Sequence, residues 1–164
     1  MKDELRQLLE SCIESGSETE LNTIKFLLEA VKQKIEQPNS NYLRNLLQMD
    51  IKIDNQSCEV TIPLRPVYNN SLQILHGGVT ATLLDSAMGI LANSLLPDGF
   101  EAVTNQLNIH YIAPGFGDHL RCRAEVIHQG KQTLVIAGEA YRSDGKQIAY
   151  ATGTFFMIPP KKNR

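Results

Sequence analysis

Among the side chains of this 164-residue chain, Asp85 is the one best placed to do chemistry. On a helix its neighbours at three and four positions, Ala81, Thr82, Met88 and Gly89, supply no opposite charge and little hydration. Burial without a partner would disfavour the ionised form and make this carboxylate a stronger base. The same segment opens with His76-Gly77-Gly78. Two glycines leave the first-turn N–H groups sterically open, and a helix N-terminus adds unpaired donors and the positive end of the macrodipole. A carbonyl placed there would be polarised as in an oxyanion hole. His76 either transfers a proton or positions the turn, and positioning is the preferred reading, because a single histidine in an apolar stretch is usually a hydrogen-bonded core residue. Plainer readings stand beside these: an aspartate tethering backbone, and a Gly-Gly pair making a tight turn into close packing.

Such residues need elements to hold them. Leu75 to Ala92 reads as one helix, with a single charged side chain between Gly77 and Leu96, and a helix apolar on every side belongs inside a core. Strands are expected around it. Met49 to Ile53 and Cys58 to Leu64 alternate with period 2 and form a hairpin about Asp54-Asn55. Four longer strands follow, over 102–112, 119–128, 132–141 and 147–158, separated by Pro114-Gly115, Gln129-Gly130 and Asp144-Gly145. Ahead of them, Leu5, Leu8, Leu9, Cys12 and Ile13 mark a first amphipathic helix ending near Gly16. Ser17 and Glu20 make a capping box for a second, carrying Leu21, Ile24, Leu28, Val31 and Ile35 until Pro38-Asn39-Ser40 interrupts it. A short apolar turn, Tyr42 to Leu47, leads to the first strand. The expected organisation is an N-terminal helical extension over 1–40, an α+β domain over 41–160 and a tail over 161–164.

Composition narrows the partners. The formal charge is -2, with no general pull toward nucleic acid or anionic membranes. Residues 1–40 carry five basic and eight acidic side chains, whereas a DNA-reading helix pair needs a basic face. No stretch approaches the ~20 apolar residues of a membrane helix. The opening residues lack the apolar core of a signal peptide, so the expected compartment is the cytoplasm. Cys12, Cys58 and Cys122 are far apart, odd in number and set in apolar-periodic stretches, which reads as packing. Neither a Gly-Xaa-Ser-Xaa-Gly elbow nor a phosphate loop or zinc motif occurs, and no metal or redox cofactor is expected.

The run Leu75-His76-Gly77-Gly78-Val79-Thr80-Ala81-Thr82-Leu83-Leu84-Asp85-Ser86-Ala87 closely resembles the signature of the phenylacetate-degradation-type, or PaaI-like, hotdog thioesterases. Thr104 to Pro114 is similar to that family's strand after the helix, and the likeness extends over roughly 42–159. It implies a hotdog fold, in which a curved antiparallel sheet wraps a central helix, and hydrolysis of an acyl-CoA to a carboxylic acid and free CoA. By resemblance, Asp85 acts as nucleophile or general base from one subunit of a dimer, and the Gly77 N–H polarises the thioester carbonyl across the interface. Asn70, six residues before His76, matches an asparagine that helps hold the nucleophilic water or the carboxylate, and Thr104 falls where relatives place a small hydroxyl residue near that water. A homodimer or homotetramer is implied. A thioester suits these parts, because the thiolate leaves readily and needs no Ser/His/Asp triad.

Two departures stand out: the helices of 1–40 lie outside the signature, and Asn69 to Ile74 lacks the glycine or proline often found just before the motif. Arg65, Arg121, Arg123, Lys131 and Lys146, near strand ends, are candidates for the CoA phosphates. Three other readings are kept: an acyl-CoA sensor on the same fold, an interaction protein docking through its N-terminal helices, and a hydratase. The hydratase fits least, since His76 precedes the helix and need not share a face with Asp85.

Overall fold

A computed structural model describes residues 1–160; the expected tail over 161–164 lies outside the described residues. The chain divides into two compact units, Met1–Gln48 and Met49 onward.

The first unit contains α1 (Lys2–Ser15), α2 (Glu18–Glu36) and α3 (Tyr42–Leu47). The Ser17 N–H donates to the Glu20 carboxylate at 2.8 Å, completing the capping box that starts α2. The expected turn at Tyr42 is instead helical, because the Asn41 side chain accepts from the Leu43 N–H and caps it. Asn45 ties α3 back to α2, donating to the Ala30 carbonyl and the Ser40 hydroxyl.

The second unit is a hotdog fold: β1 (Asp50–Asp54), β2 (Ser57–Pro63), α4 (Gly77–Ser94), β3 (Glu101–Tyr111), β4 (His119–Gln129), β5 (Thr133–Arg142) and β6 (Gln147–Ile158). All strands pair antiparallel in the order β1-β2-β4-β5-β6-β3, so β1 and β3 are the edges. The alternation seen in the sequence sets the inner face: Val60 and Ile62 from β2, Leu120 and Cys122 from β4, Leu134 and Ile136 from β5, and Phe155 from β6 are all buried. Each fully buried aliphatic side chain contributes about 1.5–3 kcal/mol. The sheet holds α4 at close range because Gly138 stands at the centre of β5. A Cβ there would come within 3.1 Å of the Leu84 side chain and 3.2 Å of the Met88 sulfur.

The expectation that α4 is enclosed on every side needs correcting for the single chain. Thr80, Leu83, Leu84, Ala87, Met88, Leu91 and Ala92 form a buried stripe at helical spacing, whereas Thr82, Asp85, Ser86 and Gly89 are only half-buried. One six-stranded sheet covers one side of a helix, and the low polarity of the other side is not explained by that cover. Cys58 and Cys122 point inward from the sheet, and burial pushes the Cys58 thiol up to about 11 and the Cys122 thiol higher still. Both are packing residues, as expected; Cys12 is half-buried.

Candidate active site

The five residues singled out from the sequence fall into two groups. Asn70, His76 and Gly77 gather at the N-terminus of α4, and Asp85 and Thr104 meet two turns further along.

At the helix start, His76 is the N-cap residue: its Nδ1 accepts from the Gly78 N–H at 2.9 Å. That bond requires the neutral ring with its proton on Nε2, and it gives His76 the positioning role. With Gly78 so engaged, the Gly77 N–H donates to no acceptor among the described residues. Tyr111, at the end of β3, had no role assigned from sequence. Its hydroxyl donates to the Gly77 carbonyl at 2.8 Å, and a Cβ on Gly77 would meet its ring at 3.3 Å. Tyr111 therefore fixes the peptide and makes any larger residue at 77 tight.

Asn70 sits in the loop before the motif, where its Oδ1 accepts from the Leu72 N–H at 2.8 Å. The loop closes through Asn70 N–H to the Ile74 carbonyl and Gln73 N–H to the Asn70 carbonyl. Closing it puts Gln73 at a φ of 58°. This accounts for the missing glycine noted in the sequence: the backbone takes the left-handed turn a glycine would favour, with a glutamine in place. Asn70, Ile74, Leu75, Gly77, Thr80, Tyr111, Pro114, Gly115 and Ile148 are among the residues lining a cavity of about 360 Å³, within the usual range for small-molecule sites.

Asp85 departs from expectation. It is half-buried, not buried, and it has a partner: the Thr104 hydroxyl donates to Asp85 Oδ1 at 2.8 Å. A window of helical neighbours could not reveal this, because the donor comes from β3, nineteen residues on. A β-bulge assists. Thr104 pairs with Phe155 and Gln106 with Thr154, so Asn105 is the extra residue. Thr104 thereby shares the inner face of the sheet with Phe155.

None of the five basic candidates lines the cavity. Arg121 pairs with Glu59 at 3.4 Å and Arg123 with Glu125 at 2.6 Å, both exposed. Lys131 and Lys146 lie exposed in the turns flanking β5, and Arg65 precedes a 3-10 turn at Pro66–Tyr68. Among the described residues no three His, Cys, Asp or Glu side chains converge as metal ligands, and no helix is long and apolar enough to cross a membrane.

Residues 72–149 match the thioesterase superfamily. The acyl-coenzyme A thioesterase PaaI of Escherichia coli is 36% identical over 109 residues, 66% of this chain and 76% of the relative. The chain belongs to the thioesterase superfamily. Acyl-coenzyme A thioesterase 13 of Mus musculus is 34% identical over 100 residues, 59% of this chain and 69% of the relative. Among solved structures, the BH2602 protein of Bacillus halodurans with CoA has a TM-score of 0.85 at 40% identity, covering 93% of this chain and 99% of its own. Escherichia coli PaaI has a TM-score of 0.69 at 30% identity, covering 82% and 97%. As a member of this superfamily the protein is a thioester hydrolase.

Proposed function

We propose that the protein hydrolyses acyl-CoA at a site shared by two copies of the chain. The observation that carries this reading is the separation of the two groups on α4. Gly77 and Asp85 are eight residues apart, about 12 Å along a helix rising 1.5 Å per residue. A base must stand within one water of the carbonyl it helps attack, so the donor and the carboxylate serving one thioester come from different chains.

The edge strand supplies a way to bring them together. β3 has no neighbour beyond it in the sheet, carries Thr104 near one end and Tyr111 at the other, and is mostly exposed. Antiparallel pairing with a second β3, centred on Asn108 and with Asn105 taken up by the bulge, sets Thr104 of one chain opposite Tyr111 of its partner. That places Asp85 of each chain near Gly77 of the other, and covers the half-buried face of α4. The result is a homodimer with two equivalent sites.

In each site the Gly77 N–H and the helix dipole polarise the thioester carbonyl. Asn70, whose Oδ1 is taken by Leu72, offers its amide NH2 as a second donor from the same cavity wall. Thr104 occupies one carboxylate oxygen of Asp85, and the other takes the proton of a water that attacks the carbonyl carbon. The tetrahedral oxyanion collapses, the C–S bond breaks, and the departing thiolate recovers the proton from Asp85. Support for CoA as the carrier comes from the acyl-CoA thioesterase relatives and from the CoA held by the Bacillus halodurans protein.

The test is release of free thiol from aryl- and fatty-acyl-CoA esters by the purified protein and by Asp85→Asn. A loss of about a hundredfold or more in the variant is expected of a principal base. Equal acyl-CoA binding with no turnover by either protein would point to a sensor instead.

A further inference from the structure

The cavity beside Gly77 has one wall made by the segment joining β3 to β4: Ile112, Ala113, Pro114 and Gly115 all line it. This wall has little slack on its inner side. A Cβ on Gly115 would come within 2.9 Å of Leu75 and 3.1 Å of Ile148, both also lining residues. The Gly115 carbonyl accepts from the Leu75 N–H at 2.9 Å, and the Ile112 N–H donates to the Ile148 carbonyl at 2.8 Å.

The outer side of the wall is gripped from the β5–β6 turn. Arg142 keeps only 12% of its side chain exposed. Its Nε donates to Asp144 Oδ1 at 3.1 Å, and its Nη2 bonds the other Asp144 oxygen, giving a bidentate pair within the turn. The remaining contacts leave the turn altogether. Nη1 donates to the Pro114 carbonyl at 3.3 Å, and the guanidinium lies 3.7 Å from the centroid of the Phe116 ring. Next to it, the Ser143 hydroxyl oxygen accepts from the Asp118 N–H at 3.3 Å and leaves no room for a side chain at Gly117, whose φ is 108°.

An arginine needed only to close its own turn would be satisfied by Asp144 and Lys146. Here the guanidinium spends a donor and a face on a segment 28 residues back in the chain. We infer that Arg142 is a positioning residue for the substrate cavity: by holding the Pro114 carbonyl and the Phe116 ring it fixes the wall against which the acyl group packs, and so sets which acyl groups fit. This rests on the reading that the cavity beside Gly77 receives the thioester. Arg142 touches neither Asp85 nor Gly77, so its effect belongs to substrate binding, with the chemical step left intact.

The experiment measures kcat and KM for acetyl-, hexanoyl-, decanoyl- and phenylacetyl-CoA with the wild type, Arg142→Gln, Arg142→Lys and Phe116→Ala. Arg142→Gln is expected to raise KM about tenfold for the larger acyl groups and little for acetyl, with kcat within about twofold. Arg142→Lys keeps the charge but loses the planar fork, and should recover only part of the effect. Phe116→Ala leaves the Arg142–Asp144 pair in place, and carries the test if the Arg142 variants fail to fold. An unchanged acyl profile in Arg142→Gln and Phe116→Ala overturns the inference while leaving the thioesterase reading intact, as does a uniform change in KM or a fall in kcat alone. Failure of the wild type to cleave any of the four esters overturns both.

Discussion

The Thr104 hydroxyl donates to Asp85 Oδ1 at 2.8 Å, joining the edge strand β3 to the one charged side chain of α4. This bond holds the carboxylate in a single orientation while its second oxygen stays available. Thr104→Val, nearly the same in shape, should lower kcat about tenfold with KM little changed, and Thr104→Ser should retain most of the activity. Steady-state kinetics on one acyl-CoA decide it; a Val variant as active as the Ser variant would mean the hydroxyl is idle.

A cap and a proton carrier at position 76 respond differently to substitution. Asn can accept from the Gly78 N–H as His76 does, but it cannot exchange protons near neutrality. His76→Asn should keep the melting temperature and most of kcat, while His76→Ala loses about 1 kcal/mol of stability along with activity. Loss of activity in both variants, with stability intact in Asn, would assign His76 a proton-transfer role.

Gln73 carries a left-handed backbone that costs a side-chain-bearing residue roughly 1–2 kcal/mol. Gln73→Gly relieves it, less the extra freedom glycine gains in the unfolded chain. Thermal unfolding should show a rise of about 2–4 °C. A lower melting temperature would mean that the Gln73 side chain contributes more than its backbone costs.

If each site draws Asp85 from one chain and Asn70 from the other, two inactive variants should rescue each other. Asp85→Asn and Asn70→Ala, denatured together and refolded as a mixture, give mixed dimers in which one of the two sites is intact. Activity should approach about a quarter of the wild-type value, because half the dimers are mixed and half their sites are whole. No recovery would place both residues in a site within one chain.

Much of this arrangement was legible in the sequence because it depends on local periodicity. The helix from Gly77, the hairpin about Asp54-Asn55 and the later strands follow from the spacing of apolar residues and from Gly and Pro at the turns. Gly77 and His76 stood out through the special needs of a helix start. What stayed hidden lies between elements. The Asp85 partner comes from a strand, Tyr111 reaches Gly77 across 34 residues, and Arg142 reaches Pro114 across 28. Helical neighbours made Asp85 look unpartnered, and only the sheet order shows which side of α4 is left uncovered. Gln73 was hidden for another reason: glutamine gives no sign of the backbone angle forced on it by the closed loop.

The extra residue at Asn105 bears on how such chains are compared. Side chains on one face of a regular strand are separated by even numbers of residues, yet Thr104 and Tyr111, seven apart, both reach α4. Only an odd insertion reconciles the two. Deleting Asn105 would restore an even interval and keep Thr104 on the inner face with Leu107, Ile109 and Tyr111, whereas flattening the bulge with every residue retained would turn Thr104 outward and part the carboxylate from its hydroxyl. The parity of this interval can therefore be counted in any related sequence: an even count lets both ends of a regular strand face the helix, and an odd count does so only where a bulge takes up the extra residue.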